Sequence, residues 1–329
     1  TYTTCQRDDE ASWQPAWVPK AETIHLDMAE DVGVAKNAKL QFKGVTVLPV
    51  PSMSFPLSDK RKTGLLPPML GIDKLGGIEY SQPFYWNIAP NRDMTLVPTM
   101  MTKRGVNLTG QFRYLEPRYS GETYTSYMPS DKLRDRERWG LSWQHRSTID
   151  SPIGGLGLNI NLNRVSDGDY WRDFRLAPVA LRQRLLPSTA NLSWAKGDGV
   201  LSLNVVRYQT LQDPLAPIAP PYSMVPQLQY RYTPLDLPYG LDFSAVVDTT
   251  RFEIIRPLAG QIYPSPQTGV PAQYQNNGQR SYMQAQLSRP FLSPGAYITP
   301  KLMLHTAMYQ TDNAMSNGST SANRTLPTF

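Results

Sequence analysis

The segment Leu156-Gly157-Leu158-Asn159-Ile160-Asn161-Leu162-Asn163 alternates apolar and polar side chains without a break. A period of two sends its leucines and isoleucine to one face of a strand and its asparagines to the other. The same grammar runs through Val106 to Tyr114 and through Leu228-Gln229-Tyr230-Arg231-Tyr232. The polar face is built from Asn, Gln, Arg and Ser, which pack poorly against a second sheet but sit well around water. Apolar side chains outward against lipid and polar ones inward around a wet lumen is the pattern of a membrane β-barrel.

Mean hydropathy is -0.42, a value that a soluble protein and a barrel share, because half of each barrel strand faces water. No run approaches the roughly 20 apolar residues of a spanning helix, and 30 prolines with 22 glycines favour turns over long helices. The sequence opens and closes on strand-like stretches with no leader, so it is read as an internal part of a longer protein. Eight Lys/Arg and eight Asp/Glu cancel over residues 1–64, leaving the whole formal +6 to residues 65–329. Arg113, Arg146 and Arg231 each follow a glutamine by two positions and fall in phase with the polar face. They are expected as lumen basic residues that favour an anionic cargo, or else as partners of inward acids such as Asp242 and Asp248.

Three units follow. Residues 1–64 carry short alternating stretches, among them Ile24, Leu26, Leu40, Phe42 and Val47, and read as part of a water-exposed β-jellyroll. Residues 65–77, with Pro67-Pro68, read as a linker. From 78 to 329 about a dozen longer segments are expected, near 78–88, 92–103, 106–116, 119–128, 137–149, 155–166, 187–197, 199–210, 225–234, 239–252, 279–291 and 295–310. Most are long enough to cross a bilayer as tilted strands, and Trp86, Tyr114, Trp139, Trp194 and Tyr282 near their ends suit interfacial girdles. Tight connections (90–92, 103–105, 197–199) and long ones (168–186, 211–224, 256–278) suggest short turns on one rim and long loops on the other.

Chemistry is sparse. His25, His145 and His305 lie far apart, no CxxC or HxxxH spacing occurs, and no GxSxG or phosphate loop is present, so no catalytic residue, metal or cofactor is assigned. Asp167-Gly168-Asp169 lacks a continuing calcium-ligand pattern and reads as a polar loop. Basic residues are not interleaved with aromatics on one stripe, which argues against nucleic acid. Cys5, the one cysteine, is either an incidental thiol or, in an exported protein, half of a bridge to a partner elsewhere.

One constellation is specific. Gly76-Gly77-Ile78-Glu79-Tyr80-Ser81-Gln82-Pro83-Phe84-Tyr85-Trp86-Asn87-Ile88-Ala89-Pro90-Asn91-Arg92-Asp93, with Leu96-Val97-Pro98, Lys103-Arg104-Gly105 and Phe112-Arg113-Tyr114-Leu115, closely resembles the LptD family of lipopolysaccharide-assembly proteins. Tyr2-Thr3-Thr4-Cys5, Phe42-Lys43-Gly44-Val45, Ser54-Phe55-Pro56-Leu57 and Lys60-Arg61-Lys62-Thr63-Gly64 match in the same order. The likeness is dense to residue 116, looser beyond, and returns at Arg324-Thr325-Leu326-Pro327.

The resemblance implies an all-β chain: the end of a periplasmic β-jellyroll followed by about the first half of a large antiparallel transmembrane β-barrel of the Gram-negative outer membrane. It implies lipopolysaccharide as cargo, an LptE-type lipoprotein plug, an LptA-type periplasmic bridge reached through a part outside this chain, and outer-membrane lipid around the wall. It implies that Ile24, Leu26, Leu40, Phe42 and Val47 line an acyl-chain groove, that Cys5 forms a disulfide with a partner outside the chain, and that Pro83 and Pro98, inside the first two barrel strands, weaken a lateral gate. Without the resemblance, a proline in a strand marks an edge or a bulge. A passive porin-like channel and a soluble β-rich enzyme or glycan-binding module are the competing readings; residues 1–64 argue against the first and the Asn-rich faces against the second.

Overall fold

A computed structural model describes residues 17–329 apart from 30, 43–44, 59–60, 214 and 255–275. Four strands, β1 (Trp17–Lys20), β2 (Thr23–Asp27), β3 (Val32–Phe42) and β4 (Val45–Pro56), form one antiparallel sheet in which β1 and β2 share one side of β3 and β4 takes the other. Ile24 and Leu26, two apart on β2, lie on one face and are half exposed. Cys5 and the side chains of Leu40, Phe42 and Val47 lie outside the described residues.

The second sheet begins with β5 (Gly64–Leu65), β6 (Met69–Asp73), β7 (Gly77–Ser81), β8 (Phe84–Ala89), β9 (Arg92–Met101), β10 (Gly105–Leu115), β11 (Tyr119–Asp131), β12 (Arg136–Ser151) and β13 (Gly154–Val165). It continues with β14 (Leu185–Lys196), β15 (Gly199–Thr210), β16 (Ser223–Tyr232), β17 (Asp242–Glu253) and β18 (Gly278–Ser288). After a hairpin of their own, β19 (Phe291–Ser293) with β20 (Ala296–Ile298), come β21 (Lys301–Thr311) and β22 (Ser321–Thr328). From β9 to β18 each strand pairs antiparallel with its neighbour in sequence, β18 pairs β21 and β21 pairs β22, a meander in which β5 and β6 share one position at the edge and β7 and β8 the next.

Alternation becomes two faces. One row of ladder partners reads Arg146–Asn159–Asn191–Asn204–Gln227–Thr250–Arg280–Tyr309 across eight strands. Side-chain amides link along it: Asn191 donates to Asn204, and Asn204 donates to Gln227 at 3.2 Å. A row of the opposite phase reads Leu158–Leu192–Leu203–Leu228–Thr249–Ser281–Met308. Leu203, Leu228 and Met308 there are 40%, 48% and 57% exposed, a bare apolar surface of the kind that lipid covers in a barrel wall.

Three sequence expectations change. Residues 65–77, read as a linker, supply β6 and the partner of β8 at the sheet edge. Asp73 closes the turn that makes this possible, its carboxylate accepting from the Leu75 and Gly76 amides at 2.9 and 3.1 Å. The segment near 295–310 splits into β20 and β21, and β22 is a further strand. Turn length also fails to sort the rims: the tight turn 102–104 shares a rim with the long connections after β13, β15 and β17, opposite 90–91 and 197–198.

The main apolar cluster sits on the polar face at that long-loop rim. The connection after β13 folds over the sheet through α1 (Tyr170–Asp173), burying Tyr170, Phe174 and Leu181 against Met101, Met128 and Val165. Gly140 makes room: a Cβ there would lie 2.4 Å from the Tyr170 hydroxyl.

Candidate functional site: a thinned seam and a polar inner face

Pro98 on β9 accepts from the Gln82 amide at 3.2 Å, and Pro83 accepts from the Leu66 amide at 2.9 Å. In an antiparallel strand the N–H and C=O of one residue point to the same neighbour. The donor that Pro98 lacks would therefore face Gln82, and the donor that Pro83 lacks would face Leu66; both gaps open toward the sheet edge. The ladder lapses here, between Ser81↔Thr99 and Phe84↔Leu96, and again between Met69↔Ser81 and Leu65↔Phe84, where Pro67-Pro68 interrupt the edge strand. Three successive positions thus carry proline at one level. Because β5 and β6 form the edge, Pro83 and Pro98 occupy the second and third positions, one further in than the sequence reading puts them.

At the foot of this seam Asp93, buried, takes two bonds from the Arg113 guanidinium at 2.8 Å each, one from Arg61 at 2.9 Å and one from the Tyr85 hydroxyl at 3.1 Å. Arg61 ties the chain ahead of β5 to β9, and the Asn87 amide donates back to the Arg61 carbonyl at 3.0 Å. Arg113, Arg146 and Arg231 all lie on the polar face. Arg113 is neutralised by Asp93, whereas Arg146 and Arg231 make no ion pair among the described residues. Asp248, considered as their partner, instead accepts from Gln227 at 2.6 Å and Thr250 at 2.7 Å and meets Arg280 at 3.4 Å.

The opposite rim holds a feature that the sequence reading missed. Arg138, fully buried, reaches Asp131 at 3.1 Å, Asp167 at 2.9 Å and Asp173 at 2.7 Å. Arg104 joins Asp131 at 2.6 Å, and Arg134 joins Asp173 at 2.9 Å. The Arg104 and Arg138 guanidinium carbons stand 4.4 and 4.8 Å from the Phe174 ring centre. Asp167 and Asp169, read as a polar loop, are spent on arginines, including Arg136 at 3.1 and 3.4 Å. Burial alone raises the Asp173 carboxyl, but bonds from Arg134 and Arg138 outweigh it and hold the group below the usual range. Asp167 behaves alike, with Ser166 and Arg138 donating. The available signal was Arg134, Arg136 and Arg138 at alternate positions opposite Asp169 and Asp173 at helical spacing.

Residues 136–329 match the family model for LptD, LPS transport system D. The chain belongs to the LptD family. It is 54% identical to the LPS-assembly protein LptD of Acidovorax sp. (strain JS42) and 52% identical to that of Paracidovorax citrulli (strain AAC00-1), in each case over its whole length and 39% of theirs. LptD of Polaromonas sp. (strain JS666 / ATCC BAA-500) is 50% identical with the same coverage. The chain therefore spans about two fifths of the length of these relatives. Solved Pseudomonas aeruginosa OccK10 aligns with 95% of the chain and 91% of its own at 11% identity, but a TM-score of 0.29 is too low to equate the folds. Family membership and the two-faced wall place the chain in the Gram-negative outer membrane.

Proposed function

We propose that this chain is an internal part of a lipopolysaccharide translocon, which inserts its cargo into the outer leaflet without covalent chemistry. The observation that carries this reading is the row of prolines across the first three positions of a wall with one polar and one apolar face. A seam of that kind parts sideways at low cost, letting acyl chains pass into lipid while sugars stay on the polar side. Each missing ladder bond is worth only about 0.5–1.5 kcal/mol, so cargo drives the opening and Pro83 and Pro98 lower its cost.

In the same reading, residues 1–64 belong to a periplasmic jellyroll whose groove uses Ile24, Leu26, Leu40, Phe42 and Val47 to shield acyl chains. Exposure of Ile24 and Leu26 fits a lined groove. Arg146 and Arg231, which make no ion pair among the described residues, supply cations for an anionic saccharide. Cys5 bridges to a cysteine outside the chain, an LptE-type lipoprotein fills the lumen, and an LptA-type bridge delivers cargo. A passive porin-like channel is not favoured, since the relatives are assembly proteins.

The test places a photocrosslinking residue at Tyr85, on the polar side of the seam, in the full-length protein. Lipopolysaccharide adducts that require an active upstream machinery support the translocon. Their absence in a correctly inserted protein sinks it.

A further inference from the structure

The polar face changes character at β18 and β21. Elsewhere its rows are mostly amides and hydroxyls; here three successive rungs are Arg280/Tyr309, Tyr282/Ala307 and Gln284/His305. The small Ala307 between Tyr309 and His305 leaves a depression of about 260 Å³ lined by all six residues, two rungs below the long-loop rim. The Tyr282 ring centre lies 5.8 Å from His305. The Arg280 guanidinium carbon lies 5.0 Å from the Tyr282 ring centre and 5.3 Å from that of Phe252.

Arg280 is also under-committed. Its carboxylate neighbour Asp248 is already satisfied by Gln227 and Thr250, and the contact between them is a single one at 3.4 Å. Among the described residues its Nε, which is buried, has no hydrogen-bond partner. By contrast Arg113 holds Asp93 through two bonds and Arg138 reaches three carboxylates. A guanidinium held by aromatic faces, its terminal nitrogens carrying a single 3.4 Å contact among the described residues and an open depression before it, suits an oxyanion. Tyrosine rings beside an amide and an imidazole suit a sugar, which offers apolar C–H faces for stacking and hydroxyls for hydrogen bonds.

We propose that Arg280, Tyr282, Gln284, His305 and Tyr309 form a saccharide subsite for a sugar bearing a phosphate or carboxylate. The site lies near the long-loop rim, where in the translocon reading the cargo's saccharide leaves last. This inference rests on the translocon reading.

The test uses the full-length protein in detergent, titrated calorimetrically with deacylated lipopolysaccharide, its dephosphorylated counterpart and inorganic phosphate. Wild type binds the phosphorylated oligosaccharide best. Tyr282→Ala and Gln284→Ala each weaken it about tenfold, a change of about 1.4 kcal/mol. Arg280→Gln abolishes the preference for the phosphorylated form, and Leu304→Ala, on the apolar face of β21, changes nothing. Heat-modifiable migration on gels confirms that each variant is folded; should Arg280→Gln not fold, the Tyr282 and Gln284 variants decide. Unchanged affinity in those variants overturns the subsite, as does wild-type binding of free phosphate as tight as that of the oligosaccharide, or no binding at all. None of these outcomes touches the Tyr85 adduct. Loss of that adduct with normal oligosaccharide binding overturns the translocon and leaves the subsite.

Discussion

Replacing Arg138 by Met keeps the aliphatic stem and removes the charge that three buried carboxylates share. Asp131, Asp173 and Asp167 would keep Arg104, Arg134 and Arg136, but the central cation is lost and one carboxylate is left in excess beside the fully buried Asp131. Breaking a buried ion pair by deleting one partner costs about 3–5 kcal/mol, because the remaining charge is uncompensated. Ordering the connection after β13 costs about 1–2 kcal/mol per residue in backbone freedom. Its few apolar anchors, Tyr170, Phe174 and Leu181, return about 1.5–3 kcal/mol each, so the ion network decides whether it stays docked. At about 1.4 kcal/mol per factor of ten, the docked form loses roughly a hundredfold to a few thousandfold. Trypsin reads this directly, since the connection contains Arg172, Arg175, Arg182 and Arg184. The expected result for Arg138→Met is rapid cleavage within 166–184 while the heat-modifiable barrel band persists. Cleavage no faster than in wild type would refute the claim that the network pins the loop.

Acid should act on the same device. Asp167 and Asp173 are held below the ordinary aspartate value of 3.8, so their contribution is complete above that value and is lost as pH falls through their depressed folded values. Trypsin-independent cleavage, for instance by pepsin, should therefore enter residues 166–184 only below about pH 4. Gly121→Ala should destabilise the wall by about 1–3 kcal/mol, because its Cβ would lie 2.5 Å from the Gln144 carbonyl oxygen and 2.4 Å from the Tyr114 Cζ. The displaced Tyr114 would lose its 2.7 Å bond to His145, visible as a lower temperature for the gel-mobility shift. Asp93→Asn should release Arg61 and speed cleavage after Arg61 and Lys62, measured by mass spectrometry of the fragments.

The strands β9 to β18 could be read from alternation because each has one face for lipid and one for water, so every second residue reports its environment. β5 and β6 were not legible: Pro67-Pro68, Gly71, Gly76 and Gly77 look like a hinge, and only pairing with β7 and β8 makes them strand. β22, Ser321–Thr328, is polar at most positions and carries little alternation. Pro83 and Pro98 stand out in sequence, yet their alignment with Pro67-Pro68 at one level depends on register, which no single strand encodes. Arg138 joins Asp167 and Asp173, 29 and 35 positions away across a connection, and Arg280 gains its meaning only from Phe252, Tyr282 and the Ala307 that faces Tyr282. Both depend on which segments the fold brings together: a connection laid over the sheet for Arg138 and ladder pairing for Arg280.

The central claim is that the proline row sets the ease with which the seam parts. Pro83→Ala and Pro98→Ala together would restore two donors, one aimed at Leu66 and one at Gln82, and strengthen the ladder by about 1–3 kcal/mol in all. The deciding measurement is the rate at which newly made lipopolysaccharide reaches the cell surface when the full-length double variant is the only copy. With barrel assembly normal by gel mobility, the account predicts slower delivery than wild type. Delivery at the wild-type rate, or faster, would contradict it.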